Sequence, residues 1–68
     1  MKEIANSDVA VLNEGSIFLF RPNTEAGRNW INDNIADDAI WHNDSLVVEH
    51  RFVQDIIDGM IEDGLLIS

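Results

Sequence analysis

Residues 45–68 of the chain read SLVVEHRFVQDIIDGMIEDGLLIS, and this stretch predicts a buried strand, an amphipathic helix and a second short strand. The apolar residues of its central part recur with the spacing of one helical face: Phe52, Val53, Ile56, Ile57, Met60 and Ile61. The other face carries acids: Asp55, Asp58, Glu62 and Asp63. Gly64 stands where a left-handed residue commonly ends a helix. The helix is therefore expected to pack its apolar face on a sheet.

Working back toward the N-terminus, the chain contains two strands followed by a first helix. Residues 8–12 and 16–20 have strand character, and the intervening Asn-Glu-Gly predicts a hairpin turn. Thr24 is a suitable N-cap for a helix that continues to about Asn34. Gly27 lies inside this helix, where glycine costs about 1 kcal/mol. Close packing of the helix on the sheet is the expected compensation.

The remaining segments complete the order ββαββαβ. Residues 39–41, 45–48 and 65–67 are the predicted third, fourth and fifth strands, and a turn is expected at residues 42–44. The fold class is α+β, a small two-layer domain spanning residues 1–68, with an antiparallel-rich sheet and two helices. Residues 1–7 are expected to fray. The expected core residues lie on the apolar stripes: Trp30, Ile31, Trp41, Val47, Phe52, Ile56 and Met60.

The second strand is apolar on both faces, with Ile17 and Leu19 on one face and Phe18 and Phe20 on the other. Two helices on one face of the sheet would leave the other face uncovered, and the aromatic pair is the expected exposed one. Exposed apolar patches usually mark an interface. Weak self-association or contact with a partner is therefore expected.

The length of the chain limits the size of its core, and its composition indicates the cellular compartment. A chain of 68 residues buries only about 60% of its unfolded surface, so its core is marginal. The chain has no cysteine, no secretory signal pattern and no apolar run long enough to span a membrane. We expect a cytoplasmic protein that does not enter a membrane.

The net charge of −9 is unevenly distributed. Residues 1–32 hold four acids and three bases, a net of −1, whereas residues 33–68 hold nine acids and one base, a net of −8. Such a charge distribution repels nucleic acid and attracts basic surfaces. The alternative is that the acidity only keeps a small protein soluble.

The motifs of catalysis and cofactor binding are missing from the sequence. It contains no nucleophile elbow and no glycine-rich phosphate-binding motif, so we expect no enzyme and no cofactor. His42, Asp44, Glu49 and His50 could contribute to a metal site, but each also occupies an ordinary surface position. The few basic residues are scattered, which disfavours direct nucleic-acid binding. Arg51 is expected to form an ion pair with a nearby acid, Glu49 or Asp55.

Several short motifs carry a family resemblance. The chain contains GSIFLFRP at residues 15–22, Thr24 followed by Trp30 and Ile31, Trp41, LVVE at residues 46–49 with Arg51, and DGL at residues 63–65. In these motifs it resembles a group of small uncharacterised bacterial and phage-encoded acidic proteins, over about residues 9–66. That resemblance implies the fold and no particular activity. In size, acidity and lack of a catalytic motif the chain is also similar to DNA-mimicking anti-CRISPR proteins, a likeness of physical type that assigns no residues.

The leading functional prediction is a small acidic protein-binding inhibitor. It would place its acids on the basic nucleic-acid-binding site of a protein complex, as a phage-encoded anti-CRISPR or similar DNA mimic does. The predicted partner-binding residues come from the second helix and from adjacent loops: Asp55, Asp58, Glu62 and Asp63, with Asp37, Asp38 and Asp44. The alternative is a small housekeeping or adaptor domain, dimeric, whose acidity serves only solubility.

Overall fold

The computed structural model describes residues 7–35 and 39–68 of the chain. Its elements are the strands β1 (Val9–Asn13), β2 (Ile17–Pro22), β3 (Trp41–His42) and β4 (Ser45–Glu49), and the helices α1 (Glu25–Asn34) and α2 (Val53–Glu62). The strands form one antiparallel sheet in the order β1-β2-β4-β3. The predicted α+β class is confirmed. The fraying expected at residues 1–7 falls, except for Ser7, outside the described residues.

Both helices pack on the same face of the sheet. The register places Phe20 of β2 opposite Val11 and Leu46, so their side chains point to one side. The buried core combines this side of the sheet with one residue from each helix: Val9, Phe20, Leu46 and Val48 from the strands, Ile31 from α1 and Met60 from α2. The described residues therefore form two layers, and no helix within residues 7–35 and 39–68 covers the second face of the sheet.

Asp8 connects the start of β1 to α1 and to the C-terminus. Thr24, the N-cap of α1, accepts a hydrogen bond from the backbone N–H of Gly27 at 3.1 Å, as its position predicts. The Thr24 hydroxyl in turn donates to one carboxylate oxygen of Asp8 at 2.7 Å, and the backbone N–H of Leu66 donates to the other at 2.9 Å. One carboxylate thus positions both a helix start and the final segment of the chain.

The final segment is shorter than the predicted fifth strand. It pairs in parallel with β1 through a single bridge between Val9 and Ile67. The backbone N–H of Val11 donates to the backbone carbonyl of Ser68 at 2.9 Å, and the backbone N–H of Ser68 donates to the backbone carbonyl of Val9 at 3.1 Å. Gly64 has φ 92°, the left-handed geometry expected at this helix end. The segment therefore covers the outer edge of β1 although it is too short to count as a strand.

The core assignment was correct for Ile31 and Met60, which are buried, and for Trp30 and Ile56, which are half-buried and pack against the core. It was wrong for Val47, which is half-buried on the face of the sheet away from the core, and for Trp41 and Phe52. Trp41 and Phe52 are 41% and 46% exposed, because Trp41 lies on a two-residue edge strand and Phe52 belongs to a 3₁₀ turn that precedes α2. The second helix begins at Val53, so Phe52 lies in the tighter turn before it and is carried off the apolar stripe expected to include it.

Gly27 permits the closest approach between α1 and the sheet. A methyl group at this position would collide with the backbone carbonyl oxygen of Asp8 and would also press on Val9. Since backbone cannot rotate away as a side chain can, Gly27→Ala is expected to cost about 1–3 kcal/mol of overpacking, which outweighs the gain of about 1 kcal/mol in helix propensity. Thermal unfolding should show a lower Tm.

Gly59 of α2 provides a matched control for that substitution. Its added methyl would meet only the Trp30 ring, at 3.2 Å from Cζ2, and a ring edge can shift. Gly59→Ala should therefore be tolerated better than Gly27→Ala. Equal Tm values for the two variants would contradict the close approach at Gly27.

The Asp8 carboxylate should make stability depend on pH. The hydrogen bond from Leu66, followed by that from Thr24, lowers the pKa of Asp8 from its ordinary value of 3.8. A lowered folded-state pKa contributes stability that is present above pH 3.8 and is lost as the pH falls through the folded value. Asp8→Asn should be less stable than the parent at neutral pH, and the difference should shrink below about pH 4. Glu14→Gln, at an exposed turn residue, is the control in the same urea titrations and should show no such convergence.

Candidate functional site

The acids of α2 lie on the side of the helix that faces away from the sheet. At about 100° per residue, Asp55, Asp58 and Glu62 fall within an arc of about 60°, whose centre is opposite that of the buried stripe containing Met60. All three acids are exposed, and Met60 is fully buried. We call these three residues the acidic side of α2. The packing of the helix, rather than any contact of the acids themselves, decides that they point outward.

The charge on the acidic side of α2 is not neutralised by any basic side chain that the structure describes. Gln54 donates from Nε2 to Asp58 at 2.8 Å, a neutral contact one turn away. Between described residues, the ion pair is that of Arg51 Nη2 with Glu49 Oε1 at 3.7 Å, before the helix begins. Those two side chains are 73% and 65% exposed, so this pair contributes little to stability.

Arg51 pairs with one of the two acids expected for it, Glu49. Its guanidinium carbon also lies 4.9 Å from the centre of the Phe52 ring, a cation–π contact. Both contacts place the Arg51 side chain beside the 3₁₀ turn of residues 50–52 and not over the acidic side of α2.

Asp63 takes a different role from the other acids of the helix. Its carboxylate accepts a hydrogen bond from the indole Nε1 of Trp30 at 2.6 Å. The same indole ring packs on Gly59. Asp63 therefore joins the C-terminus of α2 to the middle of α1, and part of its hydrogen-bonding capacity is used within the fold.

The structure does not place the remaining predicted partner-binding residues on α2. Asp44 occupies the turn between β3 and β4, next to Asn43, whose φ of 57° is the left-handed geometry expected in such a turn. It lies at the end of β4 opposite the one that leads into α2. Asp37 and Asp38 lie outside the described residues. Of the seven predicted acids, three are brought together on one side of α2, and Asp63, the next residue after Glu62, directs its carboxylate to Trp30 of α1.

Neither a metal centre nor a membrane-spanning element is found in the described part of the chain. Within residues 7–35 and 39–68, no three histidine or acidic side chains converge in the way that a metal ion requires. His50 instead lies near Phe18, with 6.2 Å between the ring centres. No helix in these ranges combines the length and apolar character needed to cross a bilayer.

The face of the sheet without helices carries a patch of aliphatic residues. The register brings Leu12, Leu19 and Val47 side by side across three strands, with Ile17 on the same face of β2. Ile40 extends the patch, since its carbonyl accepts a hydrogen bond from Val47. None of these five residues belongs to the helix-covered core. We call them the open face.

The expectation that an aromatic pair would be uncovered was wrong. Phe20 is fully buried beneath the helices, and Phe18 packs against the same core. The aliphatic pair Ile17 and Leu19 lies on the open face instead. Alternation along β2 showed that one pair had to be uncovered, but only the packing of the helices decides which.

Sequence reasoning also missed an apolar groove at the far end of the helical layer. It has a volume of about 600 Å³ and lies between the end of α1, the start of α2 and β4. Ile35, Ala39, Leu46, Phe52 and Ile56 contribute apolar side chains to its wall. These residues come from four separate parts of the chain, so no local sequence pattern predicts the groove.

The orientation of α2 can be tested by comparing one inward and one outward residue. Met60 is fully buried, so Met60→Ala should cost about 2–5 kcal/mol, the range for large-to-small core substitutions. Ile61 is 57% exposed, and Ile61→Ala should change the free energy of unfolding by less than about 0.5 kcal/mol. Chemical denaturation of both variants gives the comparison, and a larger loss for Ile61→Ala would reverse the assignment of the acidic side.

Comparison with known proteins adds no further identification. No protein-family model, no curated protein and no solved structure matches the chain.

Proposed function

We propose that the protein is a small acidic binding protein whose acidic side of α2 docks on the basic, nucleic-acid-binding surface of another protein and blocks it. The observation that carries the proposal is the exposed row formed by Asp55, Asp58 and Glu62, which no basic side chain within residues 7–35 and 39–68 neutralises. The target class is a complex that handles nucleic acid, and an inhibitor of a CRISPR effector complex is the specific form to test first.

The spacing of the row supports this target class. The three carboxylates extend over about 10.5 Å of the helix axis, at 1.5 Å per residue. One strand of duplex DNA presents about four phosphates over the same length, at about 3.4 Å each. The row is therefore somewhat sparser than one strand of DNA.

The energetics of the fold also support a binding role for the acidic side of α2. The acidic side of α2 makes no contact that the packing of the helix needs, whereas Asp8 and Asp63 are engaged in hydrogen bonds within the fold. Three neighbouring carboxylates on one helix repel each other by a few tenths of a kcal/mol per pair. A basic partner would offset this repulsion between the three carboxylates. Relief of the repulsion would therefore add to the attraction between the acids and the partner.

The second candidate function is an adaptor that binds through apolar contact. The open face favours it, because Leu12 and Ile40 on that face are 45% and 67% exposed. Under this alternative the acids serve solubility alone. The two candidates differ in salt dependence, since screening weakens a charged contact and leaves an apolar one largely unchanged.

The test is binding to a purified candidate complex across a salt series, with the triple variant Asp55→Lys, Asp58→Lys and Glu62→Lys. Three attractions become repulsions, so affinity should fall by at least about 100-fold, and the parent should compete with the DNA of the target. Parent binding should also weaken steeply between 0.1 M and 1 M salt, where the screening length falls from about 10 Å to about 3 Å.

The matched control reverses three exposed acids away from α2, Glu14, Glu25 and Asp33, and changes the net charge by the same amount. It should retain binding within a few fold. Salt-independent binding, or equal losses in the two triple variants, would exclude the proposed site. Circular dichroism melts establish that both variants fold.

A further inference from the structure

Residues 65–68 run from the end of α2 along the outer edge of β1, and we call them the C-terminal strap. Gly64, with φ 92°, turns the chain between the helix and the strap. The backbone N–H of Leu65 still donates to the carbonyl of Met60 in α2 at 3.0 Å. The strap therefore has a defined hinge at the helix end, and its remaining backbone contacts are with the edge of the sheet.

The strap is bonded to alternate residues of β1. The backbone N–H groups of Val9 and Val11 donate to the carbonyls of Leu66 and Ser68 at 3.2 Å and 2.9 Å. The N–H of Ser68 returns a bond to the carbonyl of Val9 at 3.1 Å. These groups point away from β2, so the strap takes up the outward-directed amides of the strand.

The inward-directed amides of β1 belong to the pairing with β2. In an antiparallel pair, bonded and non-bonded residue pairs alternate along the strands. Since Val9 and Val11 donate outward, the N–H groups of Ala10 and Leu12 are directed toward their partners on β2. Detaching the strap would therefore leave the pairing between β1 and β2 intact.

The strap contributes little to the apolar core. Leu65 and Ile67 are half-buried and pack against the core, whereas Leu66 is 64% exposed. The fully buried side chains belong to the strands and to the two helices. Because the hydrophobic contribution scales with the buried apolar area, detaching the strap costs less free energy than unfolding the domain.

We propose that the C-terminal strap opens as one unit while the sheet and both helices stay folded, and that Asp8 is its latch. Leu66 is held by Asp8 twice, because its N–H donates to the carboxylate at 2.9 Å and its carbonyl accepts from the Asp8 N–H at 2.7 Å. Ser68 is also held through both of its backbone groups, by Val9 and Val11. The strap is thus bonded at its last residue as well as at its middle, which favours release in one step over fraying from the end.

Opening of the strap changes what the edge of β1 can bind. In the closed state the strap occupies the outward-directed N–H groups of the strand. In the open state those groups are free, and a free strand edge pairs with extended segments of other chains. The strap therefore acts as a reversible cover that controls access to this edge.

Amide hydrogen exchange of the full chain, followed by NMR at neutral pH and corrected for intrinsic rates, tests the proposal. The amides of Val9, Val11 and Ser68 should share one protection factor, at least about tenfold below that of Ala10 and Leu12. Equal protection of all these amides would show that the strap opens only when the domain unfolds. Lower protection of Val11 than of Val9 would indicate fraying from the end, and no protection of either would show that the strap is not docked. Each of these three results would overturn the proposal.

The latch is tested by Asp8→Ala, with Thr24→Val as the matched control. Both variants remove the bond between Thr24 and the Asp8 carboxylate, but only Asp8→Ala also removes the acceptor of the Leu66 N–H. Asp8→Ala should lower the protection of Val9 and Val11 about tenfold, the effect of losing one hydrogen bond to a charged group. Thr24→Val should leave it within about twofold of the parent. Equal effects of the two variants would overturn the assignment of the latch, and if either variant fails to fold in a circular dichroism melt, the comparison within the parent decides.

Discussion

The hydrogen bonds of the Asp8 carboxylate hold together three parts of the chain that are distant in sequence. One oxygen accepts from the N-cap residue of α1, and the other accepts from the backbone of Leu66 in the final segment. The backbone of Asp8 contributes as well, since its carbonyl accepts from Asn23 at 2.8 Å and its N–H donates to Leu66 at 2.7 Å. In a domain this small, with no disulfide, such a junction replaces part of the constraint that a larger core would supply.

The position of α1 follows from this junction, and the position of α2 follows from α1. Gly27 allows α1 to approach the backbone at Asp8, so the helix lies close against the start of β1. Trp30, one turn further along, packs on Gly59 and donates to Asp63, which holds the second helix beside the first. Both surfaces follow from this packing. The acids of α2 point outward because Met60 points inward, and the second face of the sheet is open in the described part of the chain because α1 and α2 both lie on the first face.

The two surfaces differ in the physics by which each would bind a partner. Binding by the acidic side of α2 would depend on charge and weaken with salt, whereas binding by the open face would depend on apolar area. Contact through one surface leaves the other accessible.

The sequence by itself determined the local features of this fold, because each depends on residues that are near one another in the chain. The α+β order, Thr24 as an N-cap, Gly64 at a helix end and the inward stripe with Met60 all follow from spacing and propensity. Only the tertiary structure decided which pair of β2 side chains is covered, Phe18 with Phe20 or Ile17 with Leu19. Alternation places one pair on each face of the sheet, and the face on which the helices pack becomes the covered one. The tertiary structure likewise decided that Phe52 and Trp41 are exposed, that Asp63 bonds to Trp30, and that Asp44 is remote from the start of α2. Each of these depends on contacts between segments far apart in the chain, which no local pattern encodes.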